Sequence, residues 1–184
     1  MAKTNLFKLL GRWRVRAGSL SLVLVLILAR PTPRSFSIGL AVCLMGIALR
    51  TWAAGHLRKE KELAVSGPYQ YTRNPLYLGN LFVGSGVVLG AHSWWVVAIF
   101  VFYFLLFYPA VIQRERARMK ELFPEKYEAY GKFVPLFFPR FKSGSRSNGI
   151  AFSWARYKKN KEYRGLGAGC VFWAIMLAKM LLTR

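Results

Sequence analysis

Aspartate is missing from this chain of 184 residues, and only seven side chains are acidic, all of them glutamates between positions 60 and 162. Against them stand 28 lysines and arginines, for a formal net charge of +21. Cysteine and histidine are nearly absent too: Cys43, Cys170, His56 and His92 are the whole set. Two cysteines inside apolar stretches argue against a disulfide framework and read as small core residues. Two histidines without ligand spacing leave no metal centre to expect. A small-residue cleavage site is lacking as well. The basic start and the apolar run 17–29 lead into ARPTPRS, so no cleavable signal peptide is expected.

Charge itself is missing over long stretches. From Asn74 to Gln113, forty residues carry none. At about 1.5 Å per residue that is roughly 60 Å of helix, twice the thickness of a hydrocarbon core. Further apolar segments cover 17–29, 35–49 and 165–182, while 24 of the 28 basic residues fall in 1–17, 50–73 and 114–164. A nucleic-acid binder interleaves its basic residues with a folded polar surface; separation into blocks is the habit of membrane proteins, so no nucleic-acid partner is expected. The chain therefore reads as an all-α polytopic membrane helix bundle with about five transmembrane helices: 15–30, 36–57, 76–90, 94–113 and 166–182. The fold-back between the third and fourth is GAHSWW, 90–95. The first has an uncharged core of only 13 residues, short for a span. The excess of Lys and Arg places the amino terminus, 58–73 and 114–164 on the cytoplasmic side.

Rigid and polar material sits at the edge of the longest apolar run: GPYQYTRNPLYLGN, 67–80. Pro68 and Pro75 fix φ and disfavour helix before them, and Gly67 permits a tight turn, so 67–75 should be stiff, extended or turned. Such backbone is tolerated at membrane depth only when protein buries it or it lines a cavity. Tyr69, Tyr71 and Tyr77 offer flat faces with hydroxyl tips, and Arg73 offers a fork for a carboxylate or phosphate. By residue type alone the stretch suits either a pocket for a nucleotide-like ligand or an interfacial anchor on lipid phosphate. Arg50, an intramembrane charge, is a functional candidate or a snorkelling residue. Gly79, Gly86 and Gly90 share a face suited to close helix packing.

The stretch resembles the GPY-x-x-x-R-H-P-x-Y-x-G signature of the isoprenylcysteine carboxyl methyltransferase and phospholipid methyltransferase families. RERARMKELFPEKYEAYGKFVPLFFPRF, 114–141, is similar to those families' second block, with Glu115 on its first acidic position and Phe123, Tyr127 and Tyr130 on its aromatic ones. The resemblance covers about 60–141. It implies an integral-membrane enzyme with a cytoplasmic S-adenosylmethionine pocket between the two blocks. The signature positions put Gly67, Pro68, Tyr69, Arg73, Asn74, Pro75, Tyr77, Gly79 and Glu115 at the cofactor, with Arg73, Asn74 and Glu115 nearest the chemistry. Glu62 stands close to where the prenylcysteine enzymes often carry a histidine, and reads as a second carboxylate or as a solvated charge. Two departures stand out. Asn74 replaces the common histidine and cannot titrate near neutrality. Arg116 replaces the second acidic residue, which either weakens cofactor binding or makes an anion clamp; Arg116 and Arg73 point to an anionic acceptor, and Arg50 and Arg116 are the substrate-binding candidates.

The resemblance divides the chain into a core, 1–141, and a basic interfacial linker with an added helix, 142–184. The activity it implies is methyl transfer to a lipid or lipid-attached carboxylate or amine beside an anionic leaflet. An NADPH-dependent membrane reductase and a non-catalytic membrane protein that keeps the pocket are the rival readings.

Overall fold

The computed structural model describes residues 2–140 and 149–183, with the backbone alone for 2–12, 14 and 15. All regular structure among them is helical: α1 (Ala2–Leu28), α2 (Pro33–His56), α3 (Pro75–Ala91), α4 (Trp94–Leu122), α5 (Pro124–Phe133), α6 (Trp154–Lys159) and α7 (Tyr163–Leu182), with one 3₁₀ turn at Gly67–Gln70. Proline starts three of them. Pro33, Pro75 and Pro124 each take the first turn, where the missing N–H has no partner to lose. Thr32 and Ser35 cap α2 reciprocally, each side chain accepting the other's backbone N–H. His92, in the left-handed region at φ 47°, ends α3 and makes the fold-back.

The bundle centres on α2 packed along α3. Gly46 faces the Gly79 carbonyl so closely that a Cβ there would lie 2.7 Å from it, and Gly86 meets the backbone of Cys43 in the same way. Backbones approach this closely only through small residues, which is how helices associate where lipid removes the hydrophobic incentive. Gly79 is part of this seam. Around it Val25, Cys43, Val96, Phe172, Trp173 and Met176 form the buried core. Lys179 donates to the Leu26 and Ile27 carbonyls at 2.7 and 2.8 Å and so caps α1 instead of reaching outward.

Helices α2, α4 and α7 are long and apolar enough to cross a membrane; α3 and the apolar part of α1, Arg16–Leu28, are shorter. Leu20, Ile27, Met45, Phe102, Leu105 and Val171 point outward, as a lipid-facing surface requires. Two helix boundaries differ from the sequence expectation. The first helix begins at Ala2, not near 15, and α4 continues to Leu122, nine residues past the last uncharged one. RERARMKEL is built of strong helix formers, so loss of hydropathy at Arg114 marks a change of surroundings and not the end of the helix. The KSGSRSNG link expected at 142–149 lies outside the described residues except for Gly149.

Candidate functional site

Two stretches far apart in sequence are sewn together at one end of the bundle. The Arg73 N–H donates to the Pro135 carbonyl at 3.0 Å, and the Arg140 N–H to the Tyr71 carbonyl at 3.0 Å. Between them the Thr72 hydroxyl donates to the Phe137 carbonyl at 2.7 Å, and the Asn74 amide to the Leu136 carbonyl at 2.8 Å. Both prolines of 67–75 withhold an N–H, so this backbone closes only a single 3₁₀ turn on itself, and Tyr71 to Asn74 take partners from 135–140. Gly67 turns the chain at φ 57° against the His56 ring, leaving no room for a Cβ. The Tyr130 hydroxyl closes the join by donating to the Tyr69 carbonyl at 2.5 Å.

Above this join lies a crevice of about 530 Å³, within the size range of small-molecule sites. Its walls come from the loop 57–64, the motif, α4 and α5. Tyr69, Arg73, Asn74 and Tyr77 line one side; Glu115 and Arg116 line the other. The two sides touch where the Tyr77 hydroxyl donates to the Glu115 carboxylate at 2.5 Å. Tyr127 and Tyr130 form the floor, packed with Val134 on Leu63, Val65, Met119 and Phe123. Arg73 lies 5.3 Å over the Tyr127 ring, and its Nε is buried with no hydrogen-bond partner. Arg73 lines the crevice, and a guanidinium there suits an anion. Burial pushes the Tyr69 and Tyr130 phenols well above their usual range, so both stay neutral donors.

Of the residues singled out from sequence, Glu62, Tyr69, Arg73, Asn74, Tyr77, Glu115 and Arg116 line the crevice. Gly67, Pro68 and Pro75 lie buried behind it and shape the backbone, and Gly79 belongs to the α2–α3 seam. Arg50 is not in the crevice. It neither snorkels nor points outward, but donates to Glu162 at 2.5 Å and to the Asn80 side chain. Glu62 pairs with Arg58 at 2.8 Å, both well exposed. Sequence reasoning missed Glu60 and Arg118, whose side chains meet at 3.6 Å across the crevice mouth. Glu60 sits at φ 58°. A charge among KEKE gave no signal of that role; only the extension of α4 to Leu122 brings Arg118 opposite it.

The described residues hold no group of three His, Cys, Asp or Glu side chains that could bind a metal ion. Two curated relatives are similar over about half of the chain. One is the cobalt-zinc-cadmium resistance protein CzcN of Cupriavidus metallidurans, 37% identical over 107 residues, or 55% of this chain and 49% of the relative. The other is the nickel-cobalt-cadmium resistance protein NccN of Alcaligenes xylosoxydans xylosoxydans, 41% identical over 109 residues, or 55% and 50%. The chain thus spans about half the length of the relatives it matches. No solved structure matches it significantly. The phospholipid methyltransferase family matches residues 35–126, half of the chain, running from the start of α2 through the motif and α4 into α5. This membrane-helix bundle belongs to the phospholipid methyltransferase family.

Proposed function

We propose that the chain transfers a methyl group from S-adenosylmethionine to a lipid or lipid-attached acceptor at the membrane interface. The observation that carries this reading is the convergence of Arg73, Tyr77 and Glu115 on one crevice, with the Arg73 Nε unpaired. The residues suit this cofactor. The Arg73 fork fits its carboxylate. The Glu115 carboxylate balances a sulfonium in a chain that is otherwise strongly basic. The faces of Tyr69 and Tyr127 suit an adenine ring. When bound, the cofactor supplies an electrophilic methyl group, and its sulfur keeps the electron pair of the broken S–C bond as an acceptor oxygen or nitrogen bonds the carbon.

No nucleophilic protein side chain is needed for such a displacement. The chain's task is to align the two reactants and exclude water. The Glu60–Arg118 pair narrows the mouth, and Tyr127 and Tyr130 give the crevice an apolar floor between charged walls. Asn74 holds the fold through Leu136 and does not act as a base. The basic rim of Arg114, Arg116 and Arg118 suits an anionic leaflet, with this end of the bundle cytoplasmic.

The test is transfer of a labelled methyl group. Purified full-length protein, incubated with methyl-labelled S-adenosylmethionine and a membrane-lipid extract, is expected to label a lipid fraction, and Glu115→Gln to cut the rate at least about tenfold. No transfer, together with tight NADPH binding, would favour a reductase. Silence toward both cofactors would leave a non-catalytic membrane protein.

A further inference from the structure

After α5 the chain runs through PLFFPR, 135–140, without forming a helix. It leaves large rings open: Phe138 is 73% exposed and Phe133, at the end of α5, 57%. The depth of this segment follows from α4. Residues 94–113 carry no charge, and at about 1.5 Å each they span about 30 Å, one hydrocarbon thickness. Phe137 stands edge-on to Phe104, ring centres 6.2 Å apart. Phe104 lies about 14 Å along the helix from Gln113, so the Phe137 ring sits well inside the level at which α4 becomes charged. Phe138 packs at right angles on Phe137, 5.2 Å away, and carries the aromatic line outward. On α4, Phe102 and Leu105 to either side of Phe104 in the chain are 69% and 67% exposed. The open face of 135–140 thus joins the surface that the bundle turns to lipid.

The backbone is prepared for that depth. Pro135 and Pro139 have no N–H to satisfy. The carbonyls of Pro135, Leu136 and Phe137 accept from the Arg73 N–H, the Asn74 amide and the Thr72 hydroxyl. Irregular backbone is tolerated among acyl chains only where protein supplies its partners. Exposed cations bound the segment, Lys132 before it and Arg140 at its end, placed to reach lipid phosphates as the chain enters and leaves. A protein docking from water would account for open rings but not for their depth beside α4.

We propose that 135–139 dips into the adjacent leaflet as a re-entrant wedge, with Phe138 among acyl chains and Lys132 and Arg140 at the phosphates. The carbonyls of this wedge are the partners that hold 72–74, so the wedge moors the crevice to the leaflet. This mooring is independent of what the crevice binds. It lies beyond residues 35–126 and is supplied by a part of the chain outside the family match.

Spin labelling of the full chain in liposomes of phosphatidylcholine and phosphatidylglycerol reads the depth. Cys43→Ala and Cys170→Ala remove the native thiols, and Phe138→Cys, Phe102→Cys or Glu128→Cys places a nitroxide. At 138 the label should be severalfold more accessible to oxygen than to a water-soluble nickel chelate, as at lipid-facing 102. At 128, exposed on α5, the order should reverse. Accessibility at 138 like that at 128, or to neither reagent, would overturn the proposal. A second measurement keeps the native cysteines and an aromatic ring, with benzoylphenylalanine in place of Phe138. Irradiated in the same liposomes, the chain is expected to gain the mass of one lipid. A crosslink to a second copy, or no lipid adduct, would overturn the proposal.

Discussion

The α2–α3 seam and the join beneath the crevice solve the same problem by opposite means. Along most of the seam glycines let backbone meet backbone, with Gly39 on Gly86 and Gly90 and Gly46 on Gly79 and Val83; its polar contacts, Ser35 to the Gly90 carbonyl and Arg50 to Asn80, lie toward its two ends. The join is almost entirely hydrogen bonds, from Arg73 and Arg140 N–H groups, the Thr72 hydroxyl and the Asn74 amide to carbonyls across it. Lipid offers neither a hydrophobic incentive for helices to meet nor water for stray backbone groups. Regular helices therefore need only shape to associate. A proline-broken segment needs partners for every group it exposes. The scaffold is thus intolerant of added volume, and the site is intolerant of lost hydrogen bonds.

Substitutions can break that contrast. Gly46→Leu is expected to have the largest effect, because its Cβ alone would stand 2.7 Å from the Gly79 carbonyl and the Val83 nitrogen. Overpacking of about 3 kcal/mol or more should abolish the monodisperse peak on size-exclusion chromatography in detergent. Thr72→Val keeps the shape but removes the bond to Phe137 and the one accepted from Asn74 at 3.3 Å. It should cost about 1–3 kcal/mol, seen as a lower melting temperature with the monodisperse peak retained.

Alkaline titration sharpens the comparison. Tyr69 and Tyr130 have phenol pKa values raised by burial. Stability is then fully present below the unfolded value of about 10 and is lost as pH rises toward the folded values, by at most about 1.4 kcal/mol per pH unit for each phenol. Thermal unfolding should be level from neutrality to about pH 9 and fall above about pH 10, with the fall halved in Tyr130→Phe. Glu62→Gln should change least, well under about 1 kcal/mol, because its pair with Arg58 lies largely in water.

Much of this was legible in the residues. The uncharged apolar runs located α2, α3 and α7 within a few residues; the structure starts α2 and α3 at Pro33 and Pro75, where proline suits the first turn. The two sequence blocks pointed to one crevice, and Tyr77 and Glu115 meet there. What hydropathy could not convey was structure beyond the apolar runs. It ended α4 at Gln113 although the charged turns to Leu122 carry Arg118 to the crevice mouth. It also left Arg50 without its partner, because Glu162 lies 112 positions away and nothing local marks the pairing. Gly79 was a signature position, yet its immediate role is contact with α2, which only the packing of two helices displays.

Equilibrium binding of labelled S-adenosylmethionine to the purified chain tests the central claim most directly. The wild type should bind, and Arg73→Ala and Glu115→Gln should each weaken binding about tenfold while melting as the wild type does. No binding by the wild type, or binding indifferent to both substitutions, would contradict the account.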